Sequence, residues 1–272
     1  MRGNFWKANM SKKIKILSGW SAPGGSTVAF INLCNLFNER GYDCTFYGPH
    51  EWHTKHCKGK SIHEAPLGED GETVIAHYLK LPHRPEGSSK VVLACHEKEV
   101  FPIKDITPFW DDIAYVSESQ MEWHDVSGTV IPNVISDLVP TQKPVFGVAG
   151  IIGSVDENKQ THLSILRAAK DGYDKIYLYG KITNKDYYDK EVRPLVDKHK
   201  VTLMDHMDDK QRMYDAVSKV FHSSLSETFN FVKAECGKTG TLYDGLETAE
   251  SGAEYWTNTE ILKAWEKLLN LS

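Results

Sequence analysis

The sequence predicts an α/β protein made of two parallel-sheet halves in tandem. A strand, a glycine turn, a helix and a second strand follow one another near the start, and a similar series begins after residue 141. Such units imply parallel strands. The chain has 272 residues, 40% of them hydrophobic and 25% charged, which is ordinary globular composition and enough for two domains. We therefore expect one domain over residues 1–140 and a second over 141–272.

The first half carries the clearest pattern. The apolar, β-branched run "KIKILSG" (13–19) stops at a glycine and predicts a strand. The turn "APGGST" follows, then a helix over 27–41 that ends at Gly41, and then the strand "DCTFYG". Further strands are predicted over 73–79, 90–97, 113–119 and 128–134.

A proline-containing linker over 138–144 leads into the second half. Strands are predicted over 145–153, 175–180, 201–205 and 219–224, and helices over 159–172, 185–199, 209–217 and 257–271. Pro194 should interrupt the second of these helices. Thr257 and Glu260 form a candidate capping box for the last one.

Composition excludes several classes of protein. The net charge of −5 gives no general attraction to nucleic acid or to anionic membranes, although it leaves a local basic groove open. The five cysteines are odd in number and form no CxxC pair, which is typical of a reducing compartment. The longest apolar run, "VFGVAGII", is too short to span a bilayer, and the first residues lack an apolar signal core. We expect a cytoplasmic protein with no membrane span.

The segment "SLSETFNFVKAEC" directly follows a predicted strand and carries two acids, Glu227 and Glu235. A helix is expected to begin between Thr228 and Asn230. Its free backbone N–H groups can hold a phosphate, and a carboxylate can accept hydrogen bonds from the adjacent hydroxyls of a ribose. The pattern also fits an ordinary acid near a helix start and a second acid that faces solvent.

This segment resembles the E-x7-E motif of retaining glycosyltransferases of the GT-B fold (glycosyltransferase group 1, family 4-like). Other stretches are similar in order and spacing. They are "SGWSAPGGSTVAFINLCNLFNERGYDCTFYG", "VIPNVIS", "GSVDENKQTHLSILRAA", "IYLYGK" and "VTLMDHMDDKQRMYDAVSKVFHSS". The resemblance covers most of the chain. It implies two Rossmann-like domains facing a cleft, with the acceptor on the N-terminal side and the nucleotide-sugar on the C-terminal side.

The resemblance also implies roles for individual residues. Glu235 matches the acid that binds the ribose, Glu227 the acid beside the transferred sugar, and Lys159 the lysine that neutralises the donor diphosphate. His96 matches a cleft histidine that touches the donor sugar, so Glu227 and His96 are the catalytic candidates. A capped or surface histidine is the alternative for His96.

The remaining donor-binding candidates are Gly24, Gly25, Ser154, Thr228, Phe229 and Asn230. Glycines let a backbone approach a ligand closely, although "GG" also suits a tight turn. Ser154 stands where the family usually has an arginine, which removes one positive charge. Lys181 or Lys233 are the candidates to compensate for it.

The implied co-substrate is a nucleotide-sugar such as a UDP- or GDP-sugar, and no cofactor and no obligatory metal are expected. The stretch "NLCNLFNERGYDCTFYGPHEWH" looks like small phage- or virus-encoded members of the family. This resemblance adds a hydroxylated DNA base to the possible acceptors and implies the host cytoplasm as the location. Glycans, lipid-linked sugars and small metabolites stay open, as does the oligomeric state. A catalytically silent binding module, favoured by Ser154, and an epimerase are the competing functions.

The histidine-rich run "HEWHTKHC" is the competing site for a metal. Its candidate ligands are His50, His53, His56 and Cys57, but their spacing matches no closed zinc pattern. A histidine-rich loop is the alternative. Trp52 in the same run could stack on a sugar or a base.

Overall fold

The computed structural model divides into two compact units, residues 1–134 with 254–272 and residues 135–253. It describes residues 12–19, 24–49, 51–66, 71–77, 84–97, 103–105, 109–141, 145–251 and 255–271, with the side chains of 51 and 52 left out. Both units are α/β with a parallel sheet, as the sequence predicts. Among the described residues, no helix combines the length and the apolar character needed to cross a membrane.

The first unit is built on a seven-stranded parallel sheet with the order β3-β2-β1-β4-β5-β6-β7. The strands are β1 (Lys13–Ser18), β2 (Asp43–Gly48), β3 (Gly59–Ser61), β4 (Thr73–His77), β5 (Lys90–Cys95), β6 (Asp112–Tyr115) and β7 (Thr129–Val130). Its helices are α1 (Gly25–Glu39), α2 (Glu118–His124) and, at the C-terminus of the chain, α8 (Asn258–Leu268). Three short 3-10 turns, Glu51–Lys55, Ile62–Glu64 and Ile103–Asp105, complete the described part.

Both faces of this sheet are covered, which explains why its strands are apolar throughout rather than alternating. In β4, Ile75 faces a core with Phe30 and Phe37 of α1. Val74 and Ala76 face the opposite core. Since side chains alternate across a strand, a continuous apolar run buries both faces.

The C-terminal helix α8 packs on the first unit. Ile261 and Trp265 are buried in the core that α1 covers, and Glu266 accepts hydrogen bonds from Arg40 and Tyr42. Thr257 and Glu260 form the predicted capping box. The sequence placed residues 254–272 in the second domain, and the structure corrects that assignment because the apolar face of α8 is buried against the first sheet.

The second unit is built on a five-stranded parallel sheet with the order β10-β9-β8-β11-β12. The strands are β8 (Val148–Ile152), β9 (Lys175–Tyr179), β10 (Thr202–Asp205), β11 (Lys219–His222) and β12 (Leu242–Gly245). The helices are α3 (Thr161–Lys170), α4 (Lys185–Tyr187), α5 (Arg193–His199), α6 (Lys210–Asp215) and α7 (Phe231–Thr239). A π-helical turn, Tyr188–Val192, joins α4 to α5, and Pro194 lies in the first turn of α5, where its missing N–H costs least. A last 3-10 turn spans Glu247–Ala249.

Several element boundaries differ from the predictions. The strand predicted over 113–119 ends at Tyr115, and Ser117 instead caps α2 through a hydrogen bond from the backbone N–H of Gln120. Strands β3 and β12 carry little apolar pattern because they lie at sheet edges, and the sequence did not predict them. The helix after Glu227 begins at Phe231, later than expected.

Candidate functional site

The carboxylate of Glu227 lies at the centre of a charged cluster in the second unit. Its Oε1 accepts a hydrogen bond from Lys159 Nζ at 2.5 Å and lies 2.9 Å from His222 Nε2. His222 ends β11, Lys159 precedes α3, and Glu227 lies in the loop between β11 and α7. The carboxyl ends of adjacent parallel strands meet at one edge of a sheet, which is where ligands bind in such folds.

The cluster keeps Glu227 ionised. Burial by itself would raise the pKa of this carboxyl, but the hydrogen bond with His222 and the charge of Lys159 overcome that effect and hold its pKa below the ordinary value. A carboxylate that stays charged accepts hydrogen bonds and stabilises positive charge. It does not donate a proton at neutral pH.

The loop between β8 and α3 is organised by Asp156. Its Oδ1 accepts from the backbone N–H of Lys159 at 2.9 Å, and its Oδ2 accepts from the Ser154 hydroxyl at 2.5 Å. Thr183 Oγ1 donates to the same Oδ2 at 3.3 Å. Ser154 therefore supports the shape of the loop, and it brings no positive charge to it.

Two glycines let this loop pass close to the end of β9. Gly180 has φ of +147°, and a Cβ added to it would lie 1.8 Å from the carbonyl oxygen of Gly153. The backbone N–H of Val155 then donates to Lys181 O at 2.9 Å. Only glycine at position 180 permits this approach, which places the end of β9 beside the loop that carries Lys159.

The loop that holds Glu227 is fixed by hydrogen bonds from two residues, Asn158 and Arg167. Asn158 donates to Ser224 Oγ at 3.3 Å and to Ser226 O at 3.2 Å, and its own carbonyl accepts from the backbone N–H of Leu225 at 2.7 Å. Arg167 of α3 donates to His222 O at 3.2 Å and pairs with Asp244. These bonds fix the end of β11, so the position of Glu227 is set by the fold.

Glu235 lies on α7 in a second polar cluster and is 2% exposed. Its Oε2 accepts from the hydroxyl of Tyr214 at 2.8 Å, and its Oε1 pairs with Lys210 Nζ. Burial and the charge of Glu235 raise the pKa of Tyr214 well above its ordinary value, so this hydroxyl stays protonated and donates. Lys210 is the part of the cluster that solvent reaches most, since its side chain is 28% exposed.

Three predicted donor-binding residues lie between the two acids. Asn230 caps α7 by accepting from the backbone N–H of Lys233, and its amide nitrogen donates to Tyr243 and to Ala249 O. Phe229 is buried and contacts the ring of Phe231 at a centroid distance of 4.8 Å. These contacts occupy both side chains within the second unit. Thr228 is half-buried.

His96 lies in the first unit, directly after β5. It is 7% exposed, and its ring stacks on Phe30 at a centroid distance of 4.4 Å. Its Nδ1 is buried and has no hydrogen-bond partner among the described residues. Burial and the proximity of His77 hold the pKa of His96 well below its ordinary value, so this ring stays neutral. Next to it, His77 Nδ1 lies 2.9 Å from Ser18 Oγ and His77 Nε2 lies 3.3 Å from Glu97 Oε2.

Gly24 and Gly25 begin α1. Gly24 has extended backbone with φ of −105°, and a Cβ added to it would meet no described atom within 4 Å. A turn that demands glycine is therefore not present at position 24. Residues 20–23 lie outside the described part of the chain, and the role of the two glycines stays a prediction.

The histidine-rich run offers no metal cluster within the part of the chain that the structure describes. His53 is buried, and its Nε2 lies 2.8 Å from the carbonyl oxygen of Lys60. His50 and the side chain of Trp52 lie outside the described residues.

Sequence reasoning missed His222, Tyr214 and Lys210. His222 is a polar residue at the end of an apolar strand, which was a usable signal, because the end of a strand is where ligands bind. Tyr214 and Lys210 lie in a predicted helix, and nothing in that helix pointed to Glu235, which is 21 positions from Tyr214 and 25 from Lys210.

The two units, each an α/β domain with a parallel sheet, define the class of fold: the chain matches GT-B glycosyltransferase structures. No protein-family model and no curated protein sequence matches it.

Three solved structures illustrate this similarity. Anabaena HepE (Alr3699) in complex with UDP-glucose aligns with a TM-score of 0.65 at 15% identity, over 95% of this chain and 89% of that one. TarM aligns with a TM-score of 0.68 at 11% identity, over 96% and 91%. AviGT4, a glycosyltransferase involved in avilamycin A biosynthesis, aligns with a TM-score of 0.65 at 14% identity, over 95% and 93%.

Proposed function

We propose that the protein is a glycosyltransferase that moves a sugar from a nucleotide-sugar donor to an acceptor hydroxyl with retention of the anomeric configuration. The observation that carries this proposal is the cluster of Lys159, Glu227 and His222 in the second unit. The GT-B fold supports it, as does HepE, a structure of that fold determined with UDP-glucose bound.

Negative charge develops on the departing diphosphate as the bond between its oxygen and the anomeric carbon breaks. In the proposed reaction Lys159 stabilises that charge, because an ammonium already held in place needs little reorganisation. The acceptor oxygen forms the new bond to the same carbon, and its proton leaves with the nucleotide or to solvent.

Glu227 is the proposed acid beside the transferred sugar. Its lowered pKa keeps it anionic, so it can accept hydrogen bonds from sugar hydroxyls and favour positive charge on the reacting carbon. Glu235 is the proposed ribose binder, and Tyr214 holds its carboxylate in place. His96, neutral in the first unit, is the proposed contact to the donor sugar.

The proposed donor is a nucleotide-sugar such as a UDP- or GDP-sugar, and the proposed acceptor is a glycan, a lipid-linked sugar, a small metabolite or a hydroxylated DNA base. The net charge of −5 weighs against DNA, since nucleic-acid binding relies on positive charge. All five cysteines are free thiols, which supports work in the reducing cytoplasm.

A catalytically silent nucleotide-sugar or glycan-binding module is the second candidate. One observation favours it: Ser154 supplies no charge to the loop that carries Lys159, and the ammonium of Lys159 is already paired with Glu227.

A donor panel separates the two candidates. The protein is incubated with UDP- and GDP-sugars with and without acceptors, and released nucleoside diphosphate is measured. Release that is lost in Glu227→Gln and kept in Lys185→Ala, a variant of an exposed lysine paired with Asp189, supports the enzyme. Binding of a donor without release supports the module, and absence of binding to every donor contradicts both the enzyme and a nucleotide-sugar-binding module. The anomeric configuration of the product, read by NMR, tests retention.

A further inference from the structure

The loop that carries Lys159 is short of positive charge. Its ammonium faces the carboxylate of Glu227, and Asp156 and Glu157 add two more carboxylates to the same loop. Asn184, a neutral residue, donates to Glu157 at 2.9 Å. A diphosphate placed here would meet one ammonium and three carboxylates, so a second cation would strengthen its binding considerably.

Lys181 is a cationic residue whose backbone lies beside this loop. Its carbonyl accepts from the backbone N–H of Val155, and residue 182 pairs with Val155 in a parallel bridge. The neighbouring Gly180 touches the backbone of Gly153, and on the other side a Cβ added to Gly153 would lie 3.7 Å from Cδ of Lys159. Lys159 and Lys181 therefore flank the same backbone segment.

Lys181 differs in its ion pairing from other lysines of the second unit. Lys233, the other candidate to compensate for Ser154, is paired with Glu250, and Lys210 is paired with Glu235. Lys181 is exposed and forms no ion pair with any described residue. An ammonium on a flexible four-carbon stem, with no acid to release, is suited to capture a phosphate.

We propose that Lys181 is a diphosphate-binding residue, which with Lys159 forms a two-lysine anion site around the backbone of Gly153 and Ser154. The inference rests on the proposed function, because it names a residue of the donor site. In this proposal Lys181 supplies the positive charge that Ser154 lacks. The ammonium of Lys159 stays paired with Glu227 as well.

The test compares Lys181→Met and Lys181→Glu with the matched pair Lys185→Met and Lys185→Glu, since Lys185 is an exposed lysine nearby in sequence. Isothermal titration measures the Kd of UDP, GDP, UMP and GMP. We expect Lys181→Met to weaken the tighter-binding diphosphate about 5- to 20-fold and Lys181→Glu more, with a smaller effect on the monophosphate. The Lys185 variants should change Kd less than about 2-fold, and circular dichroism should show all four variants folded.

Each outcome has a defined consequence. The role of Lys181 is overturned if both Lys181 variants bind the diphosphates as tightly as wild type, or if Lys185→Glu lowers the affinity equally. The proposed function stands in either case. A wild-type protein that binds no nucleoside diphosphate overturns the proposed function, and the role of Lys181 with it.

Discussion

Lys159 Nζ lies 2.5 Å from Glu227 Oε1, although 68 positions separate the two residues in the chain. The contact joins the loop after β8 to the loop after β11, and these strands are neighbours in the sheet. Under the proposed function, the same ammonium balances a carboxylate in the resting protein and a diphosphate during transfer.

Replacing Lys159 by methionine should reduce turnover strongly. The variant keeps most of the side-chain volume and loses the charge, and an oxyanion-stabilising contact is commonly worth about 3 kcal/mol, or roughly 100-fold in kcat. Steady-state release of nucleoside diphosphate measures the effect. Lys159→Arg keeps the charge and should retain more activity than Lys159→Met; equal turnover of wild type and Lys159→Met would show that the diphosphate lies elsewhere.

The pair formed by Tyr214 and Glu235 should contribute to both stability and nucleotide binding. Tyr214→Phe removes the hydroxyl that donates to a buried carboxylate, so we expect the free energy of unfolding to fall by about 1.5–3 kcal/mol. Urea denaturation measures this change. Glu235→Gln should weaken nucleoside diphosphate binding more than Tyr214→Phe does, because it alters the group that meets the ribose. An unchanged Kd in Glu235→Gln would remove Glu235 from the donor site.

Gly180 should tolerate no side chain. Gly180→Ala combines a φ of +147° with a Cβ that collides with the carbonyl oxygen of Gly153. We therefore expect the free energy of unfolding to fall by at least about 1–3 kcal/mol and the loop that carries Lys159 to be displaced. Gly172→Ala is the matched control, because Gly172 also has positive φ, +86°, but its added Cβ meets no described atom within 4 Å. The contact between the two loops would be unimportant if both variants had the same melting temperature.

His96 should make the stability of the first unit depend on pH. Its pKa is lowered in the folded state, so below the ordinary histidine value of about 6.5 the unfolded chain binds more protons than the folded one. Stability should therefore rise with pH up to about 6.5 and then level off as far as this residue is concerned. His96→Phe removes this titration and the Nδ1, which has no partner among the described residues, and it keeps a ring beside Phe30.

Urea denaturation of wild type and His96→Phe between pH 5 and pH 8 measures the difference. The gap between the two free energies should shift in favour of the variant as the pH falls below about 6.5. Parallel curves across the whole range would show that His96 does not titrate as a buried neutral ring.

The two sheets were predictable because parallel strands covered on both faces produce uninterrupted apolar runs, as in β4 and β5. Helix α8 and its capping box were predicted. The unit to which α8 belongs was not, because an apolar helix face does not indicate which sheet covers it. Edge strands β3 and β12 bury less and so left a weaker signal.

The candidate site, like the fold, was predictable only in part from the sequence. Local order along the chain made Glu227 and Glu235 candidates, because a loop after a strand and the start of a helix can be recognised in one segment. Lys159 became a candidate only through the resemblance to the glycosyltransferase motifs. Tertiary structure decided which groups these side chains meet: His222 and Lys159 on one acid, Tyr214 and Lys210 on the other. The pKa of Glu227 and the charge of the loop depend on distances between segments far apart in the chain, and those distances exist only once the sheet has formed.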